Sequence, residues 1–91
     1  MKRDDLLNEA IEITTGDRQA DYGDPVETHQ RIADIFNAIT DRDIKAREVA
    51  LFHIATKLAR SQVTPTKADT YVDIMAYAGI AFECAQKETD Q

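Results

Sequence analysis

A chain of 91 residues has room for one hydrophobic core, so a single domain over residues 1–91, helical by the patterns below, is expected. With 43% hydrophobic and 31% charged residues, its composition is that of a folded chain rather than a disordered one. Its net charge of −6 and pI near 4.7 argue against a general nucleic-acid binder, which needs a basic face, and against an anionic membrane surface.

Strand signals are nearly absent, and helical periodicity runs through the chain. A first helix is predicted over residues 4–15, with Leu6, Leu7, Ala10, Ile11 and Thr14 on one face and Gly16 as its stop. The segment GDRQADYGDP (16–25) then joins it to a second helix with a well-marked start. Asp24 can cap that helix, Pro25 fits its first position, and Glu27 stands where a capping box wants an acid. Val26, His29, Ile32, Ala33, Phe36 and Ile39 form its expected core face.

After the polar connector TDRDIK, a third helix is predicted over residues 45–60. Val49, Ala50, Leu51, Phe52, Ile54, Ala55 and Leu58 make it apolar on more than one side, so it is expected to be central. SQVTPTK should break it, with Thr64 or Thr66 capping a fourth helix over residues 68–86. The fold class is therefore all-α, a small bundle of about four helices. Its core is small for its surface, and Ala76, Ala78, Gly79 and Ala81 would admit a close helix, so completion by homo-oligomerisation is expected.

No apolar run reaches the length of a membrane span, and acids directly follow the basic pair in MKRDDLLNEA, unlike a signal peptide. A cytoplasmic location is expected. The single cysteine, Cys84, lies in apolar AFECAQ and reads as a buried thiol rather than a nucleophile or metal ligand.

Some residues are not accounted for by a plain bundle. His53, Lys57 and Arg60 follow one another at i, i+4 and i+7 on the third helix. Asp69, Asp73 and Tyr77 form an answering stripe on the fourth. An antiparallel pair of helices would bring the two stripes together. The plain reading is a salt bridge of Lys57 or Arg60 with Asp73, with Asp69 completing a capping box from Thr66.

The functional reading adds Arg18 and Tyr22, which turn chemistry leaves unexplained. Arg18, Lys57 and Arg60 would make a local basic pocket on an acidic protein, suited to a small phosphorylated ligand. Tyr22, His29 or Tyr77 would stack on a base. His29 and His53 each lie on or beside an apolar face, where a hydrogen-bonded core histidine is the commoner case.

RQADYGDP, ATKLAR and DTYVDIMAYAGIA together resemble a family of short phage and prophage proteins of unassigned function, over nearly the whole chain. More remotely, the last two helices resemble the MazG-like all-α nucleoside triphosphate pyrophosphohydrolases. Those enzymes hold Mg²⁺ with E-x-x-E and E-x-x-D pairs on successive helices. Here the matching acids are Glu48, Asp69 and Asp73, the last two at i, i+4 rather than i, i+3.

Three readings follow. One is non-catalytic sequestration of a host nucleotide signal by Arg18, Tyr22, His53, Lys57, Arg60, Asp73 and Tyr77, with no cofactor. The second is a Mg²⁺-dependent pyrophosphohydrolase using Glu48, Asp69 and Asp73. The third is an acidic adaptor that occupies a basic site on a host protein.

Overall fold

The computed structural model describes residues 1–16 and 21–90. Four long helices account for most of them: α1 (Arg3–Thr14), α2 (Pro25–Thr40), α3 (Ala46–Val63) and α4 (Ala68–Thr89). No strand occurs among the described residues, and none of their helices is long and apolar enough to cross a membrane. The fold is a small all-α bundle.

Local chemistry sets most helix ends. Gly16 stops α1 in the left-handed region (φ 66°), which a residue without Cβ enters at little cost. Asp24 caps α2 as expected, its Oδ1 accepting from the Val26 amide at 3.2 Å with Pro25 in the first turn. Glu27 adds only its charge to that turn; no capping box forms there. At α3 the Glu48 carboxylate accepts from the Lys45 amide at 3.0 Å.

The ends of α3 and α4 and the cap of α4 differ from the sequence expectation, α4 running to Thr89 rather than residue 86. α3 continues past residue 60 to Val63, because Ser61 turns its hydroxyl back to donate to the Leu58 carbonyl at 2.6 Å and so stays within the helix. Pro65, not Ser61, ends the run. α4 starts after Lys67, whose side chain gives no cap hydrogen bond, so the Thr66–Asp69 box is not made. Tyr71 instead ties the connector down by donating its hydroxyl to the Pro65 carbonyl.

α3 and α4 form an antiparallel hairpin, the most extensive packing in the molecule. Arg47 Nε reaches Glu88 Oε1 (3.5 Å) at one end, and Lys57 Nζ meets Asp73 Oδ2 (2.7 Å) nearer the other. α1 lies on α4, and α2 lies chiefly on α3. Asn37 fixes the α2–α3 connector: its Nδ2 donates to the Ile44 carbonyl (3.0 Å) and its Oδ1 accepts from the Ile44 amide (2.8 Å).

The core divides into two clusters that meet on α4. Val26, Ala46, Ala50, Ile80, Ala81 and Cys84 form one, with Tyr77 against it. Ala10, Val72 and Ala76 form the other, with Leu6, Ile13 and Met75. The central helix is therefore α4 rather than α3, since Leu51, Phe52 and Leu58 of α3 face solvent. α2 buries Val26, His29 and Ala33 but leaves Ile32, Phe36 and Ile39 of its expected core face exposed. Leu7 and Ile11 of α1 are exposed as well.

The small residues of α4 are partly used within the chain. Ala76 packs beside Ala10 of α1 and Ala81 is buried in the other cluster. A Cβ built on Gly79 would meet nothing within 4 Å, so no close helix crossing occupies that position.

Candidate functional site

The antiparallel hairpin places the two predicted stripes face to face. Lys57 and Asp73 form a direct ion pair with side chains 20% and 30% exposed, so the plain salt-bridge reading holds for Lys57 and not for Arg60. One turn further along, His53 stacks on Tyr77 with ring centroids 4.7 Å apart and planes at 21°. His29 of α2 meets His53 edge-on at 5.4 Å and lies 6.0 Å from Tyr77. Three helices thus each contribute one ring to a single cluster.

His29 is 5% exposed, and its Nδ1 lies 2.8 Å from the Pro25 carbonyl. A carbonyl only accepts, so Nδ1 carries a proton, and in the neutral tautomer that this bond selects Nε2 is an acceptor. That Nε2 is buried and has no hydrogen-bond partner. An unpaired buried polar atom costs about 1–3 kcal/mol, which a donor brought by a ligand or water would relieve. His53 holds its proton less readily than an ordinary histidine, chiefly because it is partly buried and then because of the nearby charge of His29 and Lys57. His53 is therefore biased toward its neutral form.

Three neighbouring hollows that share lining residues lie beside this cluster and together are called the trough. The first, about 200 Å³, is lined by Tyr22, Thr28 and His29 together with Ile13, Thr14 and Pro25. The second, about 280 Å³, shares Ile13, Thr14 and Pro25 and adds Lys57, Asp73 and Tyr77. The third, about 370 Å³, shares Lys57 and adds Arg60, Lys67, Thr64 and Thr70. Lys57, Arg60 and Lys67 surround this last hollow at the uncapped start of α4, whose free amides also favour an anion.

The sequence reading missed Lys67 because it places that residue in a connector capped by threonine. Its position two residues after Pro65 was the available signal. Tyr22 is exposed and lines the first hollow, and its carbonyl accepts from Thr28 Oγ1 at 3.4 Å. Arg18 lies outside the described residues.

The acids proposed for Mg²⁺ do not assemble. Glu48 lies in the first turn of α3, at the hairpin end marked by Arg47 and Glu88. Asp69 and Asp73 lie near the start of α4, separated from Glu88 by roughly 20 Å or more of helix at 1.5 Å per residue. Glu48 is also committed to the Lys45 amide, and Asp73 to Lys57. Among the described residues no group of three or more His, Cys, Asp or Glu is placed to hold a metal ion. The donor set does not fit Mg²⁺.

The sequence matches, over residues 5–85, a family described as "Domain of unknown function (DUF6378)". It is similar to the "Gene 55 protein" of Mycobacterium phage L5, 40% identical over 76 residues, covering 82% of this chain and 49% of the relative. It is also similar to the "Gene 55 protein" of Mycobacterium phage D29, 34% identical over 74 residues, covering 81% of this chain and 49% of the relative. The chain spans about half the length of these relatives. No solved structure matches it.

Proposed function

The chain belongs to the DUF6378 family, and from that premise we propose that its trough binds a small phosphorylated nucleotide and holds it without chemical conversion. The observation that carries this reading is the cationic hollow of Lys57, Arg60 and Lys67 adjoining the His53–Tyr77 ring pair across Lys57. Arg60 and Lys57 lie about 10 and 6 Å along the helix axis from His53. That spacing sets a phosphate-binding end and an aromatic end on one ligand.

In this arrangement Arg60 forks onto phosphate oxygens, while Lys57 and Lys67 supply point charges. Asp73 accepts from ribose hydroxyls as Lys57 turns toward the phosphates. Tyr77 and Tyr22 cover the base, and the unpartnered His29 Nε2 takes a donor from the ligand or from a water it orders. The proposal extends to sequestration of a host nucleotide signal, in keeping with the phage origin of the relatives. A hydrolytic role draws no support from the separated acids.

The test is retention. The protein is incubated with a panel of linear and cyclic nucleotides, separated from free ligand, then heat-denatured, and the released nucleotides are analysed by chromatography. Recovery of one nucleotide intact is expected, and Lys57→Ala or Arg60→Ala should weaken its binding at least about tenfold, a loss of 1.4 kcal/mol or more. Appearance of a monophosphate with pyrophosphate, or no retention of any nucleotide, would overturn the proposal.

A further inference from the structure

A second feature lies on the other side of α3. Ile32, Phe36, Ile44, Val49 and Phe52 line an apolar groove of about 500 Å³ between α2 and α3, with Glu48 at its rim. Beside it α2 presents Ile32, Ile35, Phe36 and Ile39, exposed by 38%, 55%, 44% and 77%. Phe52 projects from α3 at 72% exposure. We propose that this face is a two-fold interface, covered by the same face of a second copy of this chain.

The first support is area. The chain exposes 6657 Å². A monomer of 10.2 kDa is expected to expose about 5,300 Å². The surplus of about 1,300 Å² exceeds the roughly 800 Å² per partner of an ordinary interface and matches one half of an obligate one. The Cα radius of gyration, 14.0 Å against about 12 Å expected for this length, likewise shows a chain less compact than a self-sufficient monomer.

The second support is shape. Residues 32, 35, 36 and 39 are spaced i, i+3, i+4 and i+7, the pattern by which an amphipathic helix seats itself in an apolar groove. The groove and the helix that would fill it are on one face of one chain. An interface built on a two-fold axis requires that self-complementarity, because each patch must receive its own copy. The groove lining holds a single carboxylate, Glu48, so it carries less of the repulsion that two copies of an acidic protein meet.

The interface reaches the trough through one residue. His53 lines this groove and also stacks on Tyr77. A second copy would cover the outer side of His53 and dry the ring cluster from behind. The interface stands whether or not a nucleotide is the trough's ligand.

The experiment is sedimentation equilibrium of the full chain over a concentration series without nucleotide. A mass twice that of the 10.2 kDa chain is expected at micromolar concentration. Ile39→Lys and Phe52→Lys should each weaken association about 100-fold or more while keeping the helical circular dichroism. Phe82→Lys, on another exposed phenylalanine outside the groove, should leave it unchanged. A monomeric wild-type chain overturns the proposal, as does an assembly dissolved by Phe82→Lys but not by Ile39→Lys. Should a lysine variant lose its helicity, Ile39→Ala decides: roughly tenfold weaker association supports the face, and unchanged association overturns it.

Discussion

The two sides of α3 meet their neighbours on different terms. Toward α4 it offers His53, Lys57 and Arg60, and Lys57 and His53 find partners within the chain. Toward α2 it offers Val49 and Phe52, and much of the apolar surface there stays in water. All three phenylalanines are exposed, while the largest fully buried side chain is a cysteine. The contrast teaches that a short chain can pair polar groups along one helix face and still lack apolar cover along another. Charges pair over a few ångströms, whereas a core needs volume.

The largest expected effect strikes both sides at once. Ala50 is fully buried among Val26, Ile80, Ala81 and Cys84, where α2, α3 and α4 meet. Ala50→Leu should destabilise the fold by about 1–3 kcal/mol through overpacking, read as a lower urea midpoint. A neutral result would mean that the helices are not seated as closely as the contrast requires.

Next comes a change confined to the polar side. Lys57→Ala leaves Asp73 partly buried without its partner and should cost about 1–2 kcal/mol in urea unfolding, without altering self-association. Exchanging the pair, Lys57→Asp with Asp73→Lys, should recover most of that stability but not anion binding.

A smaller effect sits at the seam. The folded-state pKa of His53 is held below the ordinary 6.5 by burial first, then by His29 and Lys57. Above 6.5 the ring is neutral in both states and contributes no pH slope. As pH falls below 6.5 the unfolded chain takes the proton first, so stability drops until the lower folded pKa is reached, then levels. His53→Gln should remove this acid-side slope, measured as urea midpoints between pH 7.5 and pH 5, a range chosen about the ordinary histidine value. The smallest effect belongs to neither side: Phe82→Ala should change stability by no more than about 0.5 kcal/mol.

Legibility in the sequence followed the range of the interaction. The start of α2 was readable because Asp24, Pro25 and the Val26 amide are neighbours in the chain. The Lys57–Asp73 pair was readable because i, i+4 stripes on two helices joined by a short connector have one antiparallel alignment. Periodicity found the apolar face of α2 but not whether this chain covers it. Hence Ile32, Phe36 and Ile39 were expected in the core and lie outside it. Asn37 gave no signal, since its clamp on Ile44 depends on a connector path that pattern does not encode. Lys67 joined the basic residues only through the fold, and Glu48 parted from Asp69 and Asp73 for the same reason.

Cys84 gives the molecule a built-in clock. It is the chain's only thiol, 2% exposed, and its pKa is raised by burial and by neighbouring carboxylates. A thiol reagent in solution therefore reacts only when the cluster joining α2, α3 and α4 comes apart. Its labelling rate counts those openings directly, so one absorbance trace would measure how often the folded chain breathes and how far a ligand or a second subunit slows it.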